Sequence, residues 1–253
     1  MSWTSKKQAT YLFGTIAFLV LVIGIPTFFT LYKAPSCSDG IQNATENGID
    51  CGGSCERVCS FQAAEPIVYW EQEFQVAPGV YTAVALVENP NDTYEAVSVP
   101  YVFRLRDNRN VLVEERKGNV YLPPHAIVPI FETGIQTKER IPTITDFDWL
   151  ASPDWVHSSF VKPDVVVIDR QMNGVDSAPR LIAHVRNNTL DTFLKIPVVA
   201  ILYDDKDNAI HASKTVIERL LGTSDEEIVF TWPQPFPRAV ARIDIIPLFS
   251  FVQ

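Results

Sequence analysis

An internal repeat is the feature that most limits what this chain can fold into. Three pairs of segments match: Ala85–Asn89 with Ala183–Asn187, Val99–Asp107 with Ile196–Asp204, and Ile67–Trp70 with Val165–Ile168. The intervals are 98, 97 and 98 positions, and a one-residue difference in a loop reconciles them. Repetition over this length indicates that one structural unit is folded twice in succession.

Apolar side chains alternate with their neighbours in the best-matched segments. The alternating positions are Val99, Tyr101, Phe103 and Leu105 in the first copy and Ile196, Val198, Ala200 and Leu202 in the second. A period of two places these side chains on one face of a β-strand. The polar clusters that follow, Asp107–Asn110 and Asp204–Asn208, are typical of hairpin turns. A later strand is expected at Ile127–Phe131 and, matched to it, at Glu226–Phe230.

Each copy has the length of a small β-sandwich. About 80–95 residues with short strands at roughly 10-residue spacing are typical of immunoglobulin-like domains. The sequence therefore predicts a mainly β fold with two tandem immunoglobulin-like β-sandwiches, over residues 63–145 and 163–253.

The strand ends and turns of both copies resemble a known family. A V-x-N strand end is followed by an F-x-L-Y-D-like strand, which reads Phe103-x-Leu105-Arg106-Asp107 in the first copy and Ala200-x-Leu202-Tyr203-Asp204 in the second. This pattern resembles the FxLYD-type immunoglobulin-like domains, relatives of the water-stress and late-embryogenesis-abundant β-sandwiches. The first copy lacks the tyrosine and the second lacks the phenylalanine. The resemblance implies an envelope-associated, non-catalytic domain and transfers no site residues.

The N-terminal part contains a long uncharged segment. Tyr11–Tyr32 has 22 residues without a charge, enough for a helix to cross a hydrocarbon core of roughly 30 Å. A secretory signal peptide also begins with basic residues, but this run exceeds the usual apolar length of about 7–15 residues and no small-x-small cleavage site follows directly. We therefore expect an uncleaved, single-pass helix over residues 11–32 in the lipid bilayer, after a tail of residues 1–10.

Charge predicts the orientation and excludes some partners. Lys6 and Lys7 precede the apolar run and Lys33 alone follows it closely, which favours a cytoplasmic N-terminus with residues 34–253 outside the cell membrane. Removing the three lysines of residues 1–33 leaves 18 basic against 30 acidic residues, a net charge of −12 outside. This charge argues against binding to nucleic acid or to anionic lipid headgroups.

All four cysteines, Cys37, Cys51, Cys55 and Cys59, lie in a predicted spacer of residues 33–62. An even number outside the cytoplasm predicts disulfides, with three pairings open. Zinc is the alternative, but 13, 3 and 3 intervening residues do not match paired C-x-x-C knuckles.

Four oxygen-bearing residues in the spacer, Asp39, Asn43, Glu46 and Asp50, are spaced by glycines. This pattern suits calcium, and equally suits turns that need no ion. The segment resembles the C-x-D-G-x-x-N-x-x-E-x-G-x-D-C-G-G-x-C module found between domains of bacterial surface and secreted proteins, and it matches Cys37–Cys55 at every fixed position. The resemblance implies nothing about function. We expect no cofactor, with calcium as the alternative.

An aromatic segment, residues 146–162, is predicted to link the two sandwiches. Its large side chains are Phe147, Trp149, Trp155 and Phe160. Aromatic residues in a linker either fill the junction between domains or bind a partner, and Trp149 and Trp155 are the partner-binding candidates.

Catalytic motifs are missing from the sequence. His125 and His184 have no metal-ligand spacing, and no G-x-S-x-G elbow or phosphate-binding loop occurs. We therefore predict a non-catalytic, membrane-anchored envelope protein that presents its sandwiches for scaffolding or for recognition of envelope proteins. The alternatives are a calcium-dependent ligand-binding adhesin or sensor and, last, an enzyme whose site is assembled only in three dimensions.

Overall fold

The computed structural model describes residues 3–31 and 35–249, and divides into two compact units after Cys55. The first unit begins with α1 (Trp3–Leu19), a π-helical turn (Val20–Gly24) and α2 (Ile25–Leu31). Within it Lys7–Phe29, 23 residues, is long and apolar enough to cross a membrane, by length and composition. Residues 1–2 of the predicted tail, residue 32 of the predicted span and Lys33 lie outside the described residues.

The second unit contains a first two-sheet sandwich. Its strands are β1 (Ile67–Ala77), β2 (Val80–Asn89), β3 (Tyr94–Arg106), β4 (Leu112–Leu122), β5 (Ala126–Gln136), β6 (Ile144–Trp149) and β7 (Val156–His157). One antiparallel sheet has the order β1-β2-β5 and the other β4-β3-β6, with β7 on the start of β3.

A second sandwich follows with the same strand order. Its strands are β8 (Val165–Asn173), β9 (Arg180–Asn187), β10 (Phe193–Tyr203), β11 (Ala209–Leu220), β12 (Asp225–Thr231) and β13 (Arg242–Pro247). The sheets are β8-β9-β12 and β11-β10-β13, so each strand from β1 to β6 has a counterpart. The mainly β prediction is confirmed, and the immunoglobulin-like assignment stays a prediction. Residues 250–253 of the predicted second domain lie outside the described residues.

The alternating residues form the two cores. Val99, Tyr101, Phe103 and Leu105 are buried in the first core with residues of the facing sheet. Their counterparts on β10, from Ile196 to Leu202, are buried in the second. The period-two pattern therefore identified the inward faces correctly.

A third apolar cluster joins the sandwiches through their outer sheet faces. Phe74 and Val84 of the β1-β2-β5 sheet pack against Val199, Ile201 and Tyr203 of β10. We call this contact the sandwich interface; it also includes Ala209 and Ala212 of β11. The two sandwiches are thus stacked sheet on sheet and share buried surface instead of being joined by the chain alone.

The predicted linker and spacer boundaries were wrong. Residues 146–149 belong to β6, which pairs with β3, and β7 adds to the same sandwich. At the spacer end, Val58 is 4% exposed in the first core and its N–H donates to the carbonyl of Trp155 at 2.8 Å. The first sandwich therefore begins near residue 56, and its final strands come from the segment predicted as a linker.

The predicted match of Phe131 with Phe230 was wrong by one position. Val84 pairs with Phe131, whereas its counterpart Ile182 pairs with Val229. Phe131 therefore packs at the sandwich interface, while Phe230 points into the second core. A shift of one residue reverses the face of every side chain in a strand, which is why apolar matching alone misplaced this pair.

Candidate functional site

The cysteine segment is cross-linked. Cys37 is bonded to Cys55, and Cys51 and Cys59 are also disulfide-bonded, so none of the described cysteines is free. Glu46 lies close to the sulfurs of Cys37 and Cys55, but sulfurs in a disulfide provide no thiolate for a metal. Gly53 has φ +62°, and a Cβ there would lie 1.7 Å from the carbonyl oxygen of Thr45. The turn therefore requires glycine at this position.

The side chains proposed as calcium ligands accept hydrogen bonds from within the same segment, mostly from backbone N–H groups. The Asp50 carboxylate accepts N–H bonds from Asp39 at 2.9 Å and from Gly40 at 3.0 Å. Asp39 accepts from the Asn43 amide at 2.8 Å, and Glu46 accepts from the Asn43 N–H at 3.1 Å. In the described part of the chain, Asp39, Glu46 and Asp50 do not gather as one metal-ligating group. These hydrogen bonds fit the turn interpretation, and calcium binding stays a prediction.

Repeated aspartates close the two hairpins that follow β3 and β10. Asp107 accepts backbone N–H bonds from Arg109 at 3.0 Å and Val111 at 2.9 Å, and a side-chain bond from Arg140 at 2.8 Å. The Arg140 hydrogen bond, with those backbone donors, lowers the pKa of Asp107 to about 2. These contacts order the turn and fix it to the chain that leads into β6.

Asp204 occupies the corresponding place in the second sandwich. It accepts N–H bonds from Lys206 and Asn208, both at 2.9 Å, and a guanidinium bond from Arg238. The Asn208 side chain, followed by these donors, holds the Asp204 pKa well below its usual range. The role of this aspartate is therefore structural in both copies.

Two repeated asparagines, Asn89 and Asn187, are completely buried at the ends of β2 and β9. The Asn89 amide donates to the carbonyl oxygens of Tyr94 at 2.9 Å and Pro123 at 2.8 Å. Asn187 donates to Asp191 at 2.7 Å and to Leu221 at 3.0 Å. Each asparagine is itself fully buried and has its amide nitrogen paired with carbonyl oxygens outside its own strand.

The tryptophan candidates for partner binding lie in or against the first core. Trp155 is 2% exposed, which is incompatible with its binding a partner in the folded protein. Trp149 is half-buried and packs edge-on against Phe147, with the ring centroids 4.9 Å apart. Since both side chains contribute to the sandwich itself, the structure does not support a binding surface centred on them.

The histidines occupy different environments. The ring of His125 lies 3.1 Å from Asp92, and these side chains are 75% and 81% exposed. His211 instead stacks on Phe74, with the ring centroids 5.5 Å apart, at the sandwich interface. Burial lowers the His211 pKa. No hydrogen bond from a serine, threonine or cysteine reaches a histidine among the bonds of the described residues, so a nucleophile–base pair is not seen there.

A long groove of about 1510 Å³ runs beside the sandwich interface. We call it the edge groove: it is lined by residues 126–131 of β5, residues 165–170 of β8 and residues 242–249, which include β13. These three strands lie at the ends of their sheet orders among the described strands. The groove therefore exposes the free edges of strands from both sandwiches, and it is larger than the roughly 300–1,000 Å³ of small-molecule sites.

Comparisons with known proteins leave the family open. No family model matches the chain, and no curated protein matches it. The crystal structure of red sea bream transglutaminase is 9% identical, with a TM-score of 0.25, over 73% of this chain and 29% of that one. A beta-glucuronidase from glycoside hydrolase family 2 is 10% identical, with a TM-score of 0.21, over 87% of this chain and 29% of that chain. This chain spans less than a third of either protein.

The sequence analysis missed two features: the arginines that pair with the turn aspartates, and the edge groove. Arg140 and Arg238 are 98 positions apart, the interval of the repeat, so a search for charged residues at that interval finds them. No comparable pattern in the sequence indicates the edge groove. It depends on which outer faces meet and on which strands are left at sheet edges.

Proposed function

We propose that this chain is a non-catalytic, membrane-anchored envelope protein that holds two immunoglobulin-like sandwiches outside the membrane for scaffolding or partner recognition. An apolar N-terminal helix and disulfide-bonded cysteines fit an extracellular membrane-anchored protein. The edge groove is the observation that carries the recognition role. It provides free strand edges on a body whose sandwiches share a buried interface.

The surroundings of the polar groups support the non-catalytic part of the proposal. Asp107 and Asp204 are occupied by turn N–H groups and arginines, and the His125–Asp92 pair lies in solvent. General-base catalysis needs a base within hydrogen-bond reach of the proton that it removes. The described contacts provide turn closure and packing instead of this arrangement.

Crosslinking in intact cells tests the recognition role. A photoreactive amino acid at Ile168, which is 43% exposed and lines the edge groove, is compared with one at Leu194, which is 61% exposed and outside the groove. We expect a protein adduct from position 168, identified by mass spectrometry. If neither position gives a crosslinked product and only the monomer is recovered, the result would count against scaffolding and recognition.

Thiol labelling tests the orientation. An impermeant maleimide is expected to label Leu190→Cys, because Leu190 is 89% exposed in the second sandwich, and to spare Ser2→Cys in intact cells. Labelling of Ser2→Cys with protection of Leu190→Cys would reverse the proposed topology.

A further inference from the structure

We propose that the edge groove binds an extended polypeptide segment of a partner protein, which adds as a strand along the outer edge of β13. This inference rests on the proposed recognition role and specifies the chemistry of the partner. The occupant is a peptide with alternating apolar side chains and a neutral or acidic net charge. Five observations on the second sandwich support it.

The first observation is the direction of the backbone groups of β13. Leu248 N–H donates to the Pro197 carbonyl at 2.8 Å, and β13 continues in register along β10 from there. By the alternation of an antiparallel ladder, Ile243 and Ile245 then direct their N–H and C=O groups away from β10. Arg170 supports this direction, because its side chain reaches the Ile243 carbonyl from β8. Since Arg170 already bonds the Ile243 carbonyl and Pro247 has no N–H, the outward groups that an added strand would satisfy are the N–H of Ile243 and the N–H and C=O of Ile245.

The second observation is a difference between the two copies. In the first sandwich, the Thr145 hydroxyl on β6 is bonded to the Glu73 carboxylate on β1, which ties these edge strands together. Position 243 is the counterpart of Thr145 and is isoleucine. In the second sandwich the Arg170 side chain of β8 links to β13 at the Ile243 carbonyl instead, so the counterpart strands are also joined. The difference is that the side chain at position 243 is apolar, and both strands line the edge groove.

The third observation is the length of the groove. Eight consecutive residues, 242–249, line it on one side, which corresponds to roughly 26 Å at about 3.3 Å per residue of strand. A peptide of about eight residues in extended form matches this length. The volume of the groove exceeds that of ordinary small-ligand sites, which also favours a peptide.

The fourth observation is the apolar surface beside the edge. Ile243, Ile245 and Phe249 are only partly buried against the second core, and Val166 and Ile168 are 40% and 43% exposed along β8. Alternate side chains of an added strand would cover this surface.

The fifth observation is charge. The groove lining contains the cationic residues Lys162, Arg170, Lys214 and Arg242 and the carboxylates Asp169, Asp207 and Asp244, a net charge of +1. The chain as a whole has a net charge of −9. A basic peptide would be attracted to the rest of the surface, whereas a neutral or acidic one is favoured here.

The test is selection from a phage-displayed library of random 12-residue peptides against the full chain in lipid nanodiscs. We expect enriched peptides with alternating apolar residues and no net positive charge. Affinity for the most enriched synthetic peptide is then measured by fluorescence anisotropy. A version of the peptide N-methylated at alternate residues tests whether its backbone makes the contact.

Two variants and one matched control locate the site. Ile245→Pro removes an outward N–H at an edge, where proline is tolerated, and Ile168→Glu changes an exposed side chain in the groove. Leu194→Glu places the same charge on an exposed residue outside it. We expect Kd to rise about tenfold for Ile245→Pro, because one hydrogen bond to the peptide is lost. For Ile168→Glu we expect a similar rise, because a carboxylate replaces an apolar contact, and for the control no change. Hydrogen exchange at Ile243 and Ile245 should slow when the peptide is bound.

Opposite results would overturn the proposal. One such result is that no peptide is enriched from the library. Others are that the peptide binds Ile168→Glu with the same Kd as the unchanged protein, or that the N-methylated peptide binds as tightly as the unmodified one. Dimerisation of the full chain that Ile168→Glu abolishes would identify a second copy as the occupant and also overturn it. If library selection fails while cellular crosslinking captures a partner away from position 168, the recognition role stands and only this groove assignment is lost.

Discussion

Arg140 donates a hydrogen bond of 2.8 Å to the carboxylate of Asp107, and Arg238 makes the same contact with Asp204 in the second sandwich. Both ion pairs connect the turn after a central strand with the chain that enters β6 or β13. Backbone N–H groups occupy the other carboxylate oxygen in each copy. The repeat therefore preserves a three-dimensional contact between residues that are 33 or 34 positions apart.

Acid should destabilise the sandwiches through these aspartates. Their folded-state pKa values lie below the unfolded value of about 3.9, so the stabilisation is complete above that pH and is lost as pH falls toward 2. Thermal unfolding between pH 5 and 2.5 measures it. Asp107→Asn with Asp204→Asn should be less stable at neutral pH and lose less on acidification. An unchanged acid dependence in this double variant would contradict the assignment.

Removing the Asn187 amide should destabilise the second sandwich by about 3 kcal/mol, because Asn187→Ala removes the hydrogen bonds that this fully buried side chain donates to Asp191 and Leu221. Chemical denaturation gives the free energy of unfolding. Asn188→Ala is the matched control, since Asn188 is the next residue in the same loop and is exposed. Similar losses in both variants would show that the buried hydrogen bonds are not the cause.

The sandwich interface should contribute to stability through Ile201, which is fully buried. Ile201→Ala removes three methylene-sized groups from this contact and should cost about 3 kcal/mol. Calorimetry of the full chain reports the loss and shows whether the sandwiches still unfold in one transition. Val216→Ala on the neighbouring β11 is the control, because Val216 is 44% exposed. An effect of Ile201→Ala as small as the control's would contradict a stabilising interface.

Histidine protonation should weaken the same interface. Burial against aromatic rings lowers the His211 pKa, so the unfolded chain binds the proton more strongly. Stability is therefore complete above the unfolded value of about 6.5 and falls as pH drops through it toward the folded pKa. We expect His211→Gln to reduce the change in melting temperature between pH 7.5 and pH 5.5. His184→Gln, at an exposed ion pair, should retain the wild-type slope.

Gly118 should be required by its cross-strand partner. A Cβ at Gly118 would lie 2.4 Å from the Tyr101 hydroxyl, and Tyr101 is 5% exposed and bonded to Glu132 at 2.7 Å. Gly118→Ala should cost about 2 kcal/mol by displacing this ring. In a Tyr101→Val background the same change should cost less, which a double-mutant cycle measures. Additive costs would falsify the steric explanation.

The repeat and the alternation of apolar residues are sufficient by themselves to determine the two cores. Ile196, Val198, Ala200 and Leu202 follow a period of two that only a strand satisfies, and all four are buried. The uncharged N-terminal run likewise specifies a long apolar helix. The aromatic segment after residue 145 was harder to place, because aromatic residues suit both an edge strand and a junction.

Tertiary structure alone decided how the sandwiches meet. The outer face of β10 carries the uncharged side chains of Ile201 and Tyr203. Their counterparts on β3 are Arg104 and Arg106, which form ion pairs with Asp148 and Asp146. This contrast indicates that the β10 face is covered, but a sequence does not state which surface covers it. Packing depends on the shape of two complete sheets and on the edges left beside them. The sandwich interface and the edge groove therefore follow from three-dimensional complementarity, whereas the cores follow from local periodicity.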